Sequence, residues 1–138
     1  MTVLVDTDVL IDLALNRIPH AAPAGQLLDA LEARPGVGCI AWHTLSNFYY
    51  LVAPTHGRRS ARAFLGELLR FLDVAPGGTE SARQAVQLPL KDFEDALQVT
   101  AALSVGATVI ATRNLRDYRG APVPALAPGA VAATLRKG

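Results

Sequence analysis

Cysteine is nearly absent from this chain. Its one cysteine, Cys39, sits between apolar neighbours and fits a reduced, buried thiol. That excludes a disulfide framework. Three scattered histidines, His20, His43 and His56, cannot complete a zinc set with it. No apolar run is long enough to cross a bilayer. Asp6, Asp8 and Asp12 interrupt what would have to be the apolar core of a signal peptide, so the expected location is cytoplasmic, away from membranes. Repeats, low-complexity tracts and linkers are also missing.

What is present is apolar and compact in character. Hydrophobic residues make up 51% of the 138 positions and charged residues only 18%, which argues for a globular domain and against disorder. The expectation is one domain, residues 1–138. The net charge of +1 says little, but its distribution says more. Lys91 and Lys137 are the only lysines, and the other eleven basic residues are arginines. These cluster at Arg58, Arg59 and Arg62 and at Arg113, Arg116 and Arg119. An arginine fork can donate two hydrogen bonds to a phosphate; a solvated arginine surface is the plainer alternative.

Short apolar strands alternate with helical patterns. Thr2 to Val5 reads as a strand buried on both faces, and Val9 to Leu15 as a short helix capped by Thr7 or Asp8. Ala24, Leu27, Leu28 and Leu31 follow helical spacing, and Val37 to Ala41 is a second strand. A third helix spans Trp42 to Ala53, broken by Pro54 and Gly57, and a fourth runs from Ala61 to Leu72. Val74-Ala75 is a short strand, followed by a helix to Gln87 and another from Asp92 to Ser104. Ala107 to Ala111 is a strand, Val123 to Ala125 an edge strand and Ala130 to Arg136 a last helix. This alternation predicts an α/β fold with a mostly parallel sheet, whose ligands bind beyond the carboxyl ends of the strands.

The chemistry lies in the acids at those ends. Asp6 closes the first strand; Asp8 is the more natural helix cap, which frees Asp6. Asp12 reads as a surface residue. Asp92 suits the positive end of a helix dipole, Glu94 points elsewhere, and Asp95 stands among apolar residues that leave it little polar company. Asp117 follows the late strand in a polar loop where Asn114 can stabilise a turn. Carboxylates brought together repel unless protonated or bound to a cation. Oxygen ligands without a Cys/His set suit Mg²⁺ or Mn²⁺. Carboxylates that do not hold the ion can orient or deprotonate a water that attacks a phosphodiester in line, and the arginines would hold a nucleic-acid backbone.

These motifs resemble the PIN domain, the fold of many metal-dependent ribonucleases, and in particular the toxin halves of bacterial VapBC-type toxin–antitoxin pairs. The likeness covers nearly the whole chain. Val3 to Asp12 looks like the family's opening strand and first acid, with Asp8 where asparagine is commoner. Asp92 to Gln98 looks like the segment carrying a later acid, here Asp95, and Thr112 to Tyr118 resembles the closing motif. The resemblance implies a three-layer α/β/α fold with Asp6, Asp95 and Asp117 as catalytic acids. Asp6 and Asp95 would hold Mg²⁺ or Mn²⁺, and Asp8, Asn47, Asp92, Thr112 and Asn114 would act as secondary ligands or water-positioning groups. Arg58, Arg59, Arg62, Arg113 and Arg116 would contact RNA. Partners implied are the RNA substrate, a small cognate antitoxin and a second copy in a homodimer. Phe48, Tyr49, Tyr50 and Phe64 are candidates for those protein surfaces, or simply core.

One position departs from the family. A glutamate is usual in the helix after the second strand, and Asn47 stands there. Its carbonyl oxygen can face a metal but brings no charge, so the expectation is a working site with weak metal affinity. Two other readings compete. One is a catalytically weakened RNA- or antitoxin-binding module on the same fold. The other is a haloacid-dehalogenase-like phosphatase, which also opens on a strand and Asp-x-Asp; Val9 and Leu10 stand where its motif wants a small residue and a hydroxyl.

Overall fold

The computed structural model describes residues 1–138. In chain order the elements are β1 (Val3–Val5), α1 (Thr7–Ala14), α2 (Ala21–Glu32), β2 (Gly38–Ile40), α3 (Trp42–His56) and α4 (Arg58–Leu68). Then come β3 (Asp73–Val74), α5 (Thr79–Gln87), α6 (Phe93–Ser104), β4 (Val109–Ala111), a single 3-10 turn (Leu115–Tyr118), β5 (Ala125–Leu126) and α7 (Pro128–Lys137). The strands form one sheet in the order β3-β2-β1-β4-β5, and every pairing is parallel. Helices cover both faces, giving the three-layer α/β/α architecture.

The sequence dictates this layering through the two-residue period of the strands. Val3 and Val5 enter one core with Val109 and Ala111, together with residues of α1, α2, α3, α4 and α7. Leu4 and Ile110 enter the other, against Val99 and Ala102 of α6. Val3, Leu4 and Val5 are fully buried, each stabilising the fold by about 1.5–3 kcal/mol through loss of apolar surface. Gly38 is required where β2 passes the helices: a Cβ there would lie 2.5 Å from a Leu72 methyl and 3.0 Å from one of Leu31.

Several boundaries differ from the sequence reading. Helix α3 continues through Pro54 and stops at Gly57, whose φ is +87°. Pro54 sits in the exposed last turn, where water can take the carbonyl its missing N–H leaves free. Helix α4 ends at Leu68, and Leu72 reaches the core from the following turn. The last strand is Ala125–Leu126. Helix α1 begins two residues early, at Thr7, with Asp6 at its cap position. Of the aromatic candidates, Phe48 is fully buried and stacks on Phe64 at 5.2 Å, so both are packing residues, whereas Tyr50 is exposed.

Candidate metal centre

Strands β2 and β3 lead away from β1 on one side of the sheet, and β4 and β5 on the other. The order in which successive strands are added therefore reverses between β1 and β4, where a crevice forms beyond the strand ends. Val5 pairs with Ala111, so the next residues, Asp6 and Thr112, emerge side by side. The Asp6 amide donates to the Ala111 carbonyl at 3.0 Å, and the Thr112 hydroxyl donates to Asp6 Oδ2 at 3.0 Å. Asp6 occupies the cap position of α1 but makes no capping hydrogen bond with its side chain. Its carboxylate is turned into the site instead.

Helix α6 brings the second group of acids. Asp92 is its N-cap and accepts from the amides of Glu94 at 2.7 Å and Asp95 at 3.3 Å. That fixes the first turn. The Tyr118 hydroxyl, presented by the 3-10 turn after β4, donates to Asp6 Oδ2 at 2.8 Å and stands 3.2 Å from Asp95 Oδ1. Asp8 is tied from the same loop: Asn114 Nδ2 donates to its Oδ2 at 2.6 Å. The Thr112 hydroxyl in turn accepts from the Asn114 amide at 3.0 Å, which shapes that loop.

The result is a cleft of about 230 Å³ whose lining includes Asp6, Asp8, Asn47, Asp92, Glu94, Asp95, Asn114 and Asp117, with Arg17 as its one basic residue. Burial raises the pKa of Asp6, and the charge of Asp117 adds to this. Burial, then the charge of Asp6, pushes Asp8 up to about 8 and Asp95 up to about 7. The same two causes raise Glu94, and burial raises Tyr118. All four carboxyls are thus held toward their protonated forms.

Such a site has a deficit of positive charge. Asp8 Oδ1 is buried with no hydrogen-bond partner. No group of three or more His, Cys, Asp or Glu side chains closes around one point, and Asp6 and Asp8 are held by Thr112, Tyr118 and Asn114. The donors fit a hard divalent cation that takes one or two carboxylates and otherwise keeps its waters.

The sequence profile of the PIN domain matches residues 2–116. The chain belongs to the PIN domain family. No curated protein matches it. Solved structures that share the fold include three toxin–antitoxin proteins. VapBC2 from Rickettsia felis, bound to a DNA fragment from its promoter, is 15% identical with a TM-score of 0.71, covering 92% of this chain and 98% of that one. DNA-bound VapBC from Salmonella typhimurium is 18% identical with a TM-score of 0.70, covering 93% and 98%. VapC20 from Mycobacterium tuberculosis, a toxin that cleaves the sarcin–ricin loop, is 20% identical with a TM-score of 0.64, covering 79% and 87%.

Within this PIN domain the polar residues singled out in the sequence converge, with corrections of detail. Glu94 does not point away; it lines the cleft beside Asp95. Asp8 is not a cap but a first-turn residue held by Asn114. Asp12 is not on the surface: it is 1% exposed, accepts from Arg113 Nε at 2.7 Å and lies 3.6 Å from Arg17. The arginines divide. Arg116 lines a second pocket with Lys91, Arg119, Asp92, Asp95 and Asp117, so it borders the acids directly. Arg113 is engaged with Asp12. Arg58, Arg59 and Arg62 lie exposed on α4 and line neither pocket.

Tyr118, Arg17 and Gln98 were not singled out. Tyr118 closes the Thr112–Tyr118 motif, but an aromatic there reads as packing. Gln98 is fully buried; it donates to Thr7 at 2.9 Å and to Thr44 at 3.3 Å, knitting α1, α3 and α6 beneath the acids. Its place one turn after Glu94 was the available signal.

Proposed function

We propose that this PIN domain is a Mg²⁺- or Mn²⁺-dependent endoribonuclease, the toxin component of a type II toxin–antitoxin pair. The observation that carries this reading is the convergence of Asp6, Asp95 and Asp117 with Asn47 in one cleft at the sheet's switch point. Asp6 and Asp95 hold the cation, helped by Asp8 and by the Asn47 carbonyl oxygen. When bound, the cation supplies positive charge that offsets the charge developing on the phosphate in the transition state. Asp117, exposed at the rim, orients the attacking water and takes its proton. Thr112 and Tyr118 fix the Asp6 carboxylate, Asn114 fixes Asp8, and Asp92 fixes the first turn of α6. Arg116, beside Lys91 and Arg119, holds the backbone next to the scissile phosphate. The shared fold with VapBC proteins supports a small antitoxin as partner. A second copy is proposed as a further partner, with exposed Tyr50 and Leu51 of α3 as contact residues.

A second reading is favoured by Asn47: a binding module on the same fold with weakened catalysis. Incubating a mixed RNA pool with Mg²⁺ or Mn²⁺ separates the two. Cleavage that is lost in Asp6→Asn and in Asp95→Asn supports the nuclease. Retained RNA binding without cleavage at any metal concentration supports the module. PIN membership leaves the phosphatase without support.

A further inference from the structure

A third cavity, of about 170 Å³, lies at the same end of the sheet. Because the strands are all parallel, their carboxyl ends share one edge of the molecule. The acids occupy the β1 and β4 portion. The β2 and β3 portion carries Ala41 and Ala75, the residues that follow those strands, and both line this cavity. Its walls are largely apolar: Trp42 at the start of α3, Ala75 and Pro76 after β3, and Leu97 of α6. Gly77 and Gly78 complete it with bare backbone, and a Cβ at either would meet nothing within 4 Å. Ser104 of α6 donates to the Pro76 carbonyl at 3.1 Å, which holds this loop in place. His43 and Thr100 supply polar groups.

Two features call for an occupant. Trp42 is 72% exposed although it borders an apolar recess, so the large indole face is left to water. The recess also adjoins the acidic cleft: His43 Nε2, in its wall, lies 3.9 Å from Glu94 Oε1, in the lining of the cleft. An apolar slot one side chain away from a phosphate-cleaving centre suits the flat face of a heterocycle whose own phosphate lies toward the acids.

We propose that this recess is a nucleobase subsite, in which an unpaired base of the RNA stacks on Trp42 with its edge toward His43 and Thr100. This deepens the ribonuclease reading and rests on it: it specifies single-stranded RNA, because a base held in a duplex cannot enter. Stacking on an aromatic face tolerates any base, so selectivity among bases falls to His43 and Thr100.

Trp42 is the only tryptophan in the chain, so its emission reports on the recess without a label. The probe is a short oligoribonucleotide of mixed sequence carrying a 5′ fluorophore, bound to protein carrying Asp6→Asn so that it stays intact. Its abasic counterpart serves as control, and overall binding is followed separately by anisotropy. The expected result is quenching of Trp42 by the base-bearing oligonucleotide and not by the abasic one. Trp42→Ala should weaken binding about five- to hundredfold, with most of the affinity kept in Trp42→Phe. Binding by anisotropy with unchanged Trp42 emission and unchanged Trp42→Ala affinity overturns the subsite and leaves the ribonuclease reading standing. No binding by anisotropy overturns both. Emission that responds to protein concentration alone assigns the recess to a second copy of the chain and overturns the base.

Discussion

Tyr118 donates its hydroxyl hydrogen to Asp6 at 2.8 Å while standing 3.2 Å from Asp95. One phenol thus joins the acid at the end of β1 to the acid in the first turn of α6, residues that are distant in sequence. Removing the oxygen should leave the fold intact, since the ring is 97% buried and phenylalanine fills the same space. Tyr118→Phe is expected to lower metal-free stability by about 1–2 kcal/mol, read from urea unfolding in EDTA. It should also slow RNA cleavage while leaving RNA affinity unchanged. An equal loss of affinity would mean that Tyr118 does not act through the carboxylates.

The raised carboxyls make metal-free stability depend on pH. Asp8 rises from 3.8 to about 8 and Asp95 from 3.8 to about 7 on folding. The folded state therefore holds these protons more tightly than the unfolded chain. Their contribution is fully present below about pH 4 and is lost as pH climbs through 7 and 8. In EDTA the melting temperature should fall between pH 5 and pH 8.5, and Mg²⁺ should raise it more at pH 8 than at pH 5.5. A flat profile in EDTA is incompatible with these carboxyls lying close together.

Arg113 and Arg116 are neighbours in sequence with different surroundings. Arg113 is bonded to buried Asp12, whereas Arg116 borders the acids with Lys91 and Arg119. Arg113→Ala is expected to cost about 2 kcal/mol of stability, short of the full cost of breaking a buried pair because Arg17 still faces Asp12. Arg116→Ala should leave stability unchanged, weaken RNA binding and reduce its salt slope by about 1. The reverse pattern in paired unfolding and binding titrations would exchange the two roles.

Asn47 faces the cleft without charge. Asn47→Glu adds a carboxylate where the family usually carries one, and it should tighten Mn²⁺ binding several-fold in a calorimetric titration. Unchanged affinity would place the side chain outside the metal's reach.

Much of this was legible in the chain. The strand order was not, but parallel strands and their carboxyl-end acids followed from Val3 to Asp6 and Val109 to Thr112, because fully buried strands must read as continuous apolar runs. Asp95 was legible from its apolar helix, and Asp92 from the helix start. Asp12 was misread because its partner Arg113 is remote in sequence, and a buried ion pair leaves no local pattern. Tyr118 was not assigned a role because a tyrosine's ring argues for packing while its hydroxyl acts only through tertiary neighbours. The α3 boundary at Pro54 failed because proline's penalty is small in an exposed last turn.

If Asp6 and Asp95 serve one metal-dependent hydrolytic centre, RNA cleavage must need both carboxylates and the ion. Single-turnover cleavage of a 5′-labelled single-stranded RNA, titrated with Mn²⁺, measures that dependence. Cleavage is expected to rise with Mn²⁺, vanish in EDTA, and drop about a hundredfold or more in Asp6→Asn and in Asp95→Asn while RNA binding persists. Cleavage that survives EDTA, or that either substitution leaves at the wild-type rate, would contradict it.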